Sequence, residues 1–240
     1  MKVLLIIPAY NEEKNILKTC SEIMDYNKQK HTDYDLIVIN DGSKDKTKKI
    51  LEDNNIPHVN LLHNLGIGGA VQTGYKYAYE HDYDVAIQFD GDGQHDINYV
   101  KDIIEPISNN KHDMVIGSRY LDKKTSDFKS TKARQFGIRI ISFFMKLVTK
   151  KRIYDTTSGF RACNKKIIDK FSKSYPVEYP EPVTTTELLK QGYRVGEVPV
   201  NMKKRIEGKS SIRAWKNFYY MLNVCLSIIM ISIRRYKDEL

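Results

Sequence analysis

Asp90 and Asp92 stand two residues apart in Asp90-Gly91-Asp92-Gly93-Gln94-His95, directly after the apolar run Val85–Phe89. Carboxylates placed together on one short turn repel each other, and a divalent cation removes that cost. Mg²⁺ or Mn²⁺ suits such a place, because either takes one or two carboxylates and completes its shell with phosphate oxygens and waters. Glycines at 91 and 93 let a diphosphate come close to the main chain. Asp-Gly is also ordinary turn chemistry, so the motif taken alone leaves a plain polar turn open. A calcium loop is excluded: Gln94 stands where Asp or Asn belongs, His95 replaces the turn glycine, and Lys101 replaces the bidentate Glu.

Three further groups offer chemistry. Asp41-Gly42-Ser43 could hydrogen-bond a nucleoside base or ribose, or Ser43 or Asp45 could simply cap the next helix. Gly66-x-Gly68-Gly69 opens a helical stretch but has Val71 where a dinucleotide fingerprint needs its last glycine. It fits a nucleotide lying near the backbone and excludes a Rossmann cofactor site. Arg205-Ile206-Glu207-Gly208-Lys209-Ser210-Ser211 carries cations and hydroxyls on a short loop suited to phosphate, without the spacing of a P-loop; a solvated basic loop is its plainer reading.

These residues need a scaffold, and the apolar pattern predicts one. Val3–Ile7, Leu36–Ile39, Val59–Leu62, Val85–Phe89 and Met114–Ile116 read as short strands buried on both faces. Helical stretches lie between them at Glu12–Tyr26, Lys44–Asn54, Gly69–His81 and Ile97–Ser108. The alternation predicts an α/β fold with a mainly parallel sheet flanked by helices. Ligands of such sheets bind outside the carboxyl ends of the strands, where Pro8–Glu12, Asn40–Ser43, His63–Gly69, Asp90–Gln94 and Gly117–Arg119 fall. Beyond residue 120 the pattern loosens into the polar loop Leu121–Ser130, a basic amphipathic helix over Lys132–Arg152, strands at Gly159–Ala162 and Arg194–Val200, and a helix over Val183–Gln191.

Charge divides the chain. Residues 1–120 hold 13 Lys and Arg against 19 Asp and Glu, whereas residues 121–240 hold 26 against 11, within a net charge of +9. The basic half suits nucleic acid, an anionic membrane or phosphate-bearing ligands. With 41% hydrophobic residues over 240 positions the chain can bury a full core, which excludes wholesale disorder. Cys20, Cys163 and Cys225 are too few and too far apart for a disulfide scaffold or a thiolate zinc site and suggest a reducing compartment. Val3–Ile7 is too short for a secretory signal, so the Lys237-Asp238-Glu239-Leu240 ending is read as coincidence and not as a retention address.

Taken in order, the motifs resemble the family 2 glycosyltransferases with a GT-A fold. The matching pieces are Ile7–Glu12, Val38–Ser43, Asn64–Ala70, Asp90–His95, Gly117–Arg119, Thr157–Arg161, Glu197–Val200 and Arg205–Ser210. The later ones are similar to the branch of dolichyl- and undecaprenyl-phosphate mannosyl- or glucosyltransferases. The resemblance implies an enzyme that takes a UDP- or GDP-sugar donor and Mg²⁺ or Mn²⁺. It implies that Pro8, Ala9, Tyr10, Glu12, Asp41, Gly68 and Asp90 hold the donor nucleotide, and that Asp90, Asp92 and Gln94 form the metal and diphosphate site. Arg119, Arg134, Arg205, Lys209 and Ser210 would contact phosphates of donor or acceptor. Asp92, Arg119 and Arg205 would carry the catalysis, and Glu181 is the one candidate for a general base. Asn40 departs from the Asp that many members carry.

A sugar hydroxyl needs a base to become a nucleophile. A phosphate monoester is already charged, with a second pKa of about 6. Abundant cations and the lack of an evident acid pair after Gly159–Ala162 favour a phosphate acceptor, and the resemblance implies that it is a polyprenyl phosphate, attacked in line so that the anomeric carbon inverts. The rivals are a family 2 enzyme elongating a saccharide, a nucleotidyltransferase and a nucleic-acid module; the last leaves the acidic rim unexplained. A polyprenyl acceptor calls for a membrane surface. Phe218–Ile233 would be only about 24 Å long as a helix, too short to span, and predicts an interfacial helix working with Lys132–Arg152 on the cytoplasmic face. Packing of that helix on the domain or on a second subunit is the alternative. The expected organisation is a catalytic domain over 1–212, with a nucleotide-sugar half at 1–120 and an acceptor half at 121–212, followed by the amphipathic helix within 213–240.

Overall fold

The computed structural model describes residues 1–121, 132–202 and 214–234. Among them seven strands form one sheet: β1 Val3–Ala9, β2 Tyr34–Asn40, β3 His58–Asn60, β4 Val85–Gln88, β5 Met114–Ser118, β6 Arg161–Asn164 and β7 Val195–Pro199. Their order is β3-β2-β1-β4-β6-β5-β7. All pairings are parallel except those of β6, which runs antiparallel to both β4 and β5.

Every residue of β1 is buried, because both faces of the sheet are covered. Leu5 and Ile7 pack with Ile16, Ile23, Val100 and Ile103 from helices α1 (Ile16–Lys30) and α4 (Val100–Ser108). Leu4 and Ile6 face the other way, onto Val71, Tyr75 and Phe171 of α3 (Gly66–Glu80) and α6 (Lys165–Lys173). Each such side chain removed from water contributes roughly 1.5–3 kcal/mol. Helix α2, Thr47–Asp53, lies between β2 and β3 in the chain.

Several boundaries differ from the expectation. Helix α1 starts at Ile16 instead of Glu12, because Asn11 takes a left-handed conformation (φ 56) and the Glu12 carbonyl closes a turn onto Asn15. The Ile97–Ser108 segment opens as a 3-10 turn over Ile97–Tyr99, capped by Asp96, before α4 begins. Helix α6 is absent from the sequence reading; Asn164 caps it through the Ile167 N–H, and Ile167, Ile168 and Phe171 form its buried face. Helix α7, Pro180–Lys190, begins three residues before the expected Val183, since proline at a first helical position forfeits no hydrogen bond.

Helix α5 is Lys132–Thr149, and α8 is Ala214–Ile233, 20 residues instead of the expected 16. Val224 and Ile228 of α8 pack on Ile141 of α5, and Tyr220 meets Tyr179 edge-on at 4.7 Å. One face of α8 therefore rests on the domain. Leu222, Leu226, Met230 and Ile233 of α8, and Phe136, Phe143 and Leu147 of α5, are exposed. No helix among the described residues is long and apolar enough to cross a membrane. Arg205, Lys209, Ser210, the side chain of Arg134, most of Leu121–Ser130 and the Lys237–Leu240 tail lie outside the described residues.

Candidate active site

The carboxyl ends of β1, β2, β4 and β5 form one continuous rim. Ala9 pairs with Asn40, and the Asp41 N–H donates to the Ala9 carbonyl at 2.9 Å. Asp41 is buried, and its Oδ1 accepts the Leu65 N–H at 2.7 Å, which draws the Asn64–Gly66 loop onto the rim. Tyr10 projects outward with 44% of its surface exposed, offering a flat face to a base. Glu12 is tied to Asn15 through Oε2, and its N–H donates to Thr47 Oγ1. Asn40 donates to Asn60 Oδ1 at 2.7 Å, a bond a carboxylate at position 40 could not make. Neither Ser43 nor Asp45 is the N-cap of the second helix, which is Lys46 without a side-chain cap, but Asp45 Oδ1 accepts the N–H of its first residue, Thr47, at 2.9 Å.

At the β4 end, Pro8 sits beside Gly91: a Cβ built on Gly91 would lie 3.1 Å from the Pro8 carbonyl. The turn holds its shape because Asp92 Oδ1 accepts the Gln94 N–H at 3.0 Å, an Asx-type closure. Asp90 is 33% exposed and is held from behind by His95. The His95 Nδ1 accepts the Asp90 N–H at 2.9 Å, so the ring proton sits on Nε2, 3.4 Å from Asp90 Oδ2. Burial pushes the imidazole down to about 4; Asp92 pulls it up and Arg119 adds to the depression. His95 also stacks on Phe160 at 4.8 Å. On its other side Asp90 meets Gly159. A Cβ there would lie 3.2 and 3.3 Å from the two Asp90 carboxylate oxygens and 2.8 Å from Gln88 Nε2.

Residues from the second half of the chain reach this rim because β6 is reversed, so its entry lies where β4 and β5 end. Ser158 Oγ donates to the Gly117 carbonyl at 2.7 Å. Arg119 is 5% exposed and grips Asp155 in a two-pronged bridge, Nε to Oδ2 at 2.7 Å and Nη2 to Oδ1 at 2.8 Å, with Nη2 also reaching Thr157. Burial works against its charge, but Asp155 more than offsets this and holds the guanidinium above its ordinary value. Arg119 is thus on the rim, with its guanidinium already engaged by Asp155. Asp155 in turn donates its N–H to Glu197 Oε1 at 2.8 Å.

Glu181 stands in the first turn of α7, partly buried, where Tyr179 in a left-handed conformation (φ 51) swings the chain into the helix. Burial raises its carboxyl above the ordinary value; Arg161, its own N–H and an amide contact from Gln88 oppose this, and Asp90 adds to it. Gly68, by contrast, is pressed by the backbone of Pro176 and Val177, whose carbonyl oxygens would lie 2.2 and 2.5 Å from a Cβ at that position. Chain packing accounts for that glycine. Asp155, Arg161, Gln88 and His95 were given no role from sequence, although Arg161 and His95 stood inside quoted motifs; Asp155 and Arg161 work through neighbours distant in the chain, whereas His95 holds Asp90 five residues away.

Among the described residues no three His, Cys, Asp or Glu side chains gather as a metal site. His95 is no ligand, since its Nδ1 is engaged and the ring is buried behind Asp90. Two neighbouring carboxylates and the Gln94 amide nevertheless fit Mg²⁺ or Mn²⁺, which need few protein ligands when phosphate and water complete the shell.

The protein-family model described as glycosyl transferase family 2 matches residues 4–172. A Methanococcus voltae UDP-N-acetylglucosamine–dolichyl-phosphate N-acetylglucosaminyltransferase is 31% identical, covering 98% of each chain. A Micrococcus luteus undecaprenyl-phosphate mannosyltransferase is 28% identical over 88% of each. Among solved structures, Mycobacterium tuberculosis glucosyl-3-phosphoglycerate synthase, in complex with Mn²⁺, UDP-glucose and phosphoglyceric acid, superposes with a TM-score of 0.68 at 15% identity, covering 98% of this chain and 81% of that one. That likeness bears out the GT-A type of α/β fold, a mostly parallel sheet flanked by helices. With the family model covering most of its length and a near full-length relative above 30% identity, the chain belongs to glycosyltransferase family 2.

Proposed function

We propose that the protein moves a sugar from a nucleotide-sugar donor onto the phosphate of a polyprenyl lipid, with inversion at the anomeric carbon. The observation that carries this reading is the match, over 98% of each chain, to a dolichyl-phosphate N-acetylglucosaminyltransferase. The rim geometry supports it: Tyr10 and Asp41 lie where a nucleoside would rest, and Asp90, Asp92 and Gln94 lie where its diphosphate would follow. Mg²⁺ or Mn²⁺ held by Asp90, Asp92 and Gln94 would supply Lewis-acid stabilisation of charge on the diphosphate.

In the transfer itself, a lipid phosphate oxygen forms the new bond to the anomeric carbon as the bond to the nucleoside diphosphate breaks, and the negative charge leaves with the diphosphate. No proton need be removed from the acceptor, so cations matter more than a base. Arg134, Arg205, Lys209 and Ser210 are the residues assigned to the acceptor phosphate. Arg119, held by Asp155, stiffens the rim between donor and acceptor. The catalytic unit is taken as 1–212, with the segment 213–240 as a surface helix that brings the enzyme to the cytoplasmic face of a membrane or to a second subunit.

Incubation of the full chain with UDP-N-acetylglucosamine or GDP-mannose, Mn²⁺ and undecaprenyl phosphate should yield a sugar-labelled product that partitions into organic solvent. Asp92→Ala, or excess chelator, should lower turnover at least a hundredfold, on the order seen when a key charge-stabilising group is removed. Transfer only to a free saccharide would overturn the reading in favour of glycan elongation.

A further inference from the structure

Glu197 is the one ionisable residue of the Glu197-Val198-Pro199-Val200 motif, and it stands on β7, half-buried, with Ile116 of β5 as its register partner. Its carboxylate reaches across to the irregular segment between α5 and β6. Oε2 accepts the Tyr154 N–H and Oε1 the Asp155 N–H, each at 2.8 Å. Neighbouring N–H groups outside helices and strands have no ladder to join and must find acceptors elsewhere. One carboxylate, with an oxygen for each, serves both.

The segment that Glu197 holds carries the clamp on Arg119. Asp155 is fully buried; its Oδ2 accepts the Arg119 N–H at 3.0 Å and Nε at 2.7 Å, and its Oδ1 accepts Nη2 at 2.8 Å. Thr157, two residues on, accepts Nη2 as well, at 3.1 Å. The backbone over residues 154–157 therefore decides where the guanidinium lies, and Glu197 fixes that backbone at its start. A carboxylate beside Asp155 is a costly choice for stability alone. Burial pushes the Glu197 carboxyl above its ordinary value, the N–H bonds it accepts oppose this, and the charge of Asp155 adds to the rise. A glutamine of the same shape would escape the repulsion, but its single oxygen could serve only one N–H and its amide would turn a donor towards the other. Stability given up for geometry is the pattern of a functional site.

We propose that Glu197 is a positioning residue for sugar transfer: by holding the Tyr154 and Asp155 N–H groups it sets the Asp155 clamp and, through it, the place of the Arg119 guanidinium on the rim between donor and acceptor. The inference rests on the polyprenyl-phosphate reading above and deepens it. Glu197 touches no substrate and takes no proton.

The test follows the full chain, with Mn²⁺, in its affinity for UDP and GDP, its turnover of undecaprenyl phosphate with UDP-N-acetylglucosamine or GDP-mannose, and its melting temperature. Glu197→Gln should lower kcat roughly ten- to a hundredfold, as for a group displaced by about 1 Å, while diphosphate affinity stays within about twofold. Glu197→Asp, which keeps both oxygens, should recover part of that turnover. Arg119→Lys should itself lower kcat, and adding Glu197→Gln to it should cost less than about threefold more, because both changes damage one unit. Full additivity of the two losses would overturn the inference. So would wild-type turnover in Glu197→Gln, or parallel losses of diphosphate affinity, turnover and melting temperature in both Glu197 variants, the mark of a residue that only supports the fold. Each of these leaves the polyprenyl-phosphate reading intact. A wild type that binds the diphosphate but leaves undecaprenyl phosphate without sugar would overturn that reading and the inference with it.

Discussion

Asp90 is hemmed in on two sides, by the His95 ring at its back and by the bare Cα of Gly159 at its flank. Such confinement fixes the carboxylate before any ligand arrives, which lowers the cost of ordering it on binding. Gly159→Ala places a methyl about where the Asp90 oxygens and the Gln88 amide meet, so one of them must move. Expected is a loss of turnover of about a hundredfold, since misplacement by about 1 Å costs that much, with a far smaller change in melting temperature. An Ala variant that turns over like the wild type would show that the flank has room to spare. The Asp90 and Asp92 pair was legible in the sequence because like charges on one turn are conspicuous. The engagement of Arg119 was not: Asp155 lies 36 residues away, and nothing in local spacing announces a partner at that distance.

Asp113 does for three strands what no single strand could do alone. Its carboxylate accepts the Arg194 N–H at 2.8 Å, Arg194 Nη2 at 2.9 Å and Asn164 Nδ2 at 3.0 Å, clasping the approaches to β5 and β7 and the end of β6. Hydrogen bonds from Arg194 hold its carboxyl below the ordinary value, against burial. A depressed acid stabilises the fold above its unfolded pKa, about 3.9, and that contribution disappears as pH falls through the lower folded value. Asp113→Asn should therefore cost on the order of 1–2 kcal/mol at about pH 7 by urea unfolding, and the gap to the wild type should close as pH drops below about 4. A gap that stays constant over that range would mean the charge is irrelevant there. Strands β1, β2, β4 and β5 were legible because each is an apolar run bounded by turn residues; the expected buried run Val59–Leu62 was misread, since β3 is His58–Asn60 at the edge of the sheet, no residue of it is buried, and Leu62 is exposed. The antiparallel direction of β6 was not, since an apolar run carries no arrow, and α6 escaped notice because its lysines mask a strongly one-sided apolar face.

At the scale of the whole molecule, the acidic first half of the sequence supplies Asp90 and Asp92 at the β4 end of the rim. Helix α8 is not a detached appendage: it lies on α5 and α7 and leaves an apolar side outward, with Leu226 of α8 57% and Phe143 of α5 59% exposed. If that side meets a bilayer, Phe143→Glu with Leu226→Glu should cut sedimentation with phosphatidylglycerol vesicles several-fold and leave the melting temperature within a degree or so, because neither side chain is buried in the monomer. Unchanged vesicle binding, together with a shift from dimer to monomer, would assign the surface to a second subunit.

The reversed strand also decides how the protein can be taken apart. Strand β5 belongs by sequence to the first 120 residues, yet it does not pair with β4 and joins the sheet through β6 and β7. The two halves are interleaved like the fingers of clasped hands. Donor recognition and acceptor recognition cannot be swapped between relatives by a single splice near residue 120, because any transplanted second half brings with it the strand that stitches the first half together.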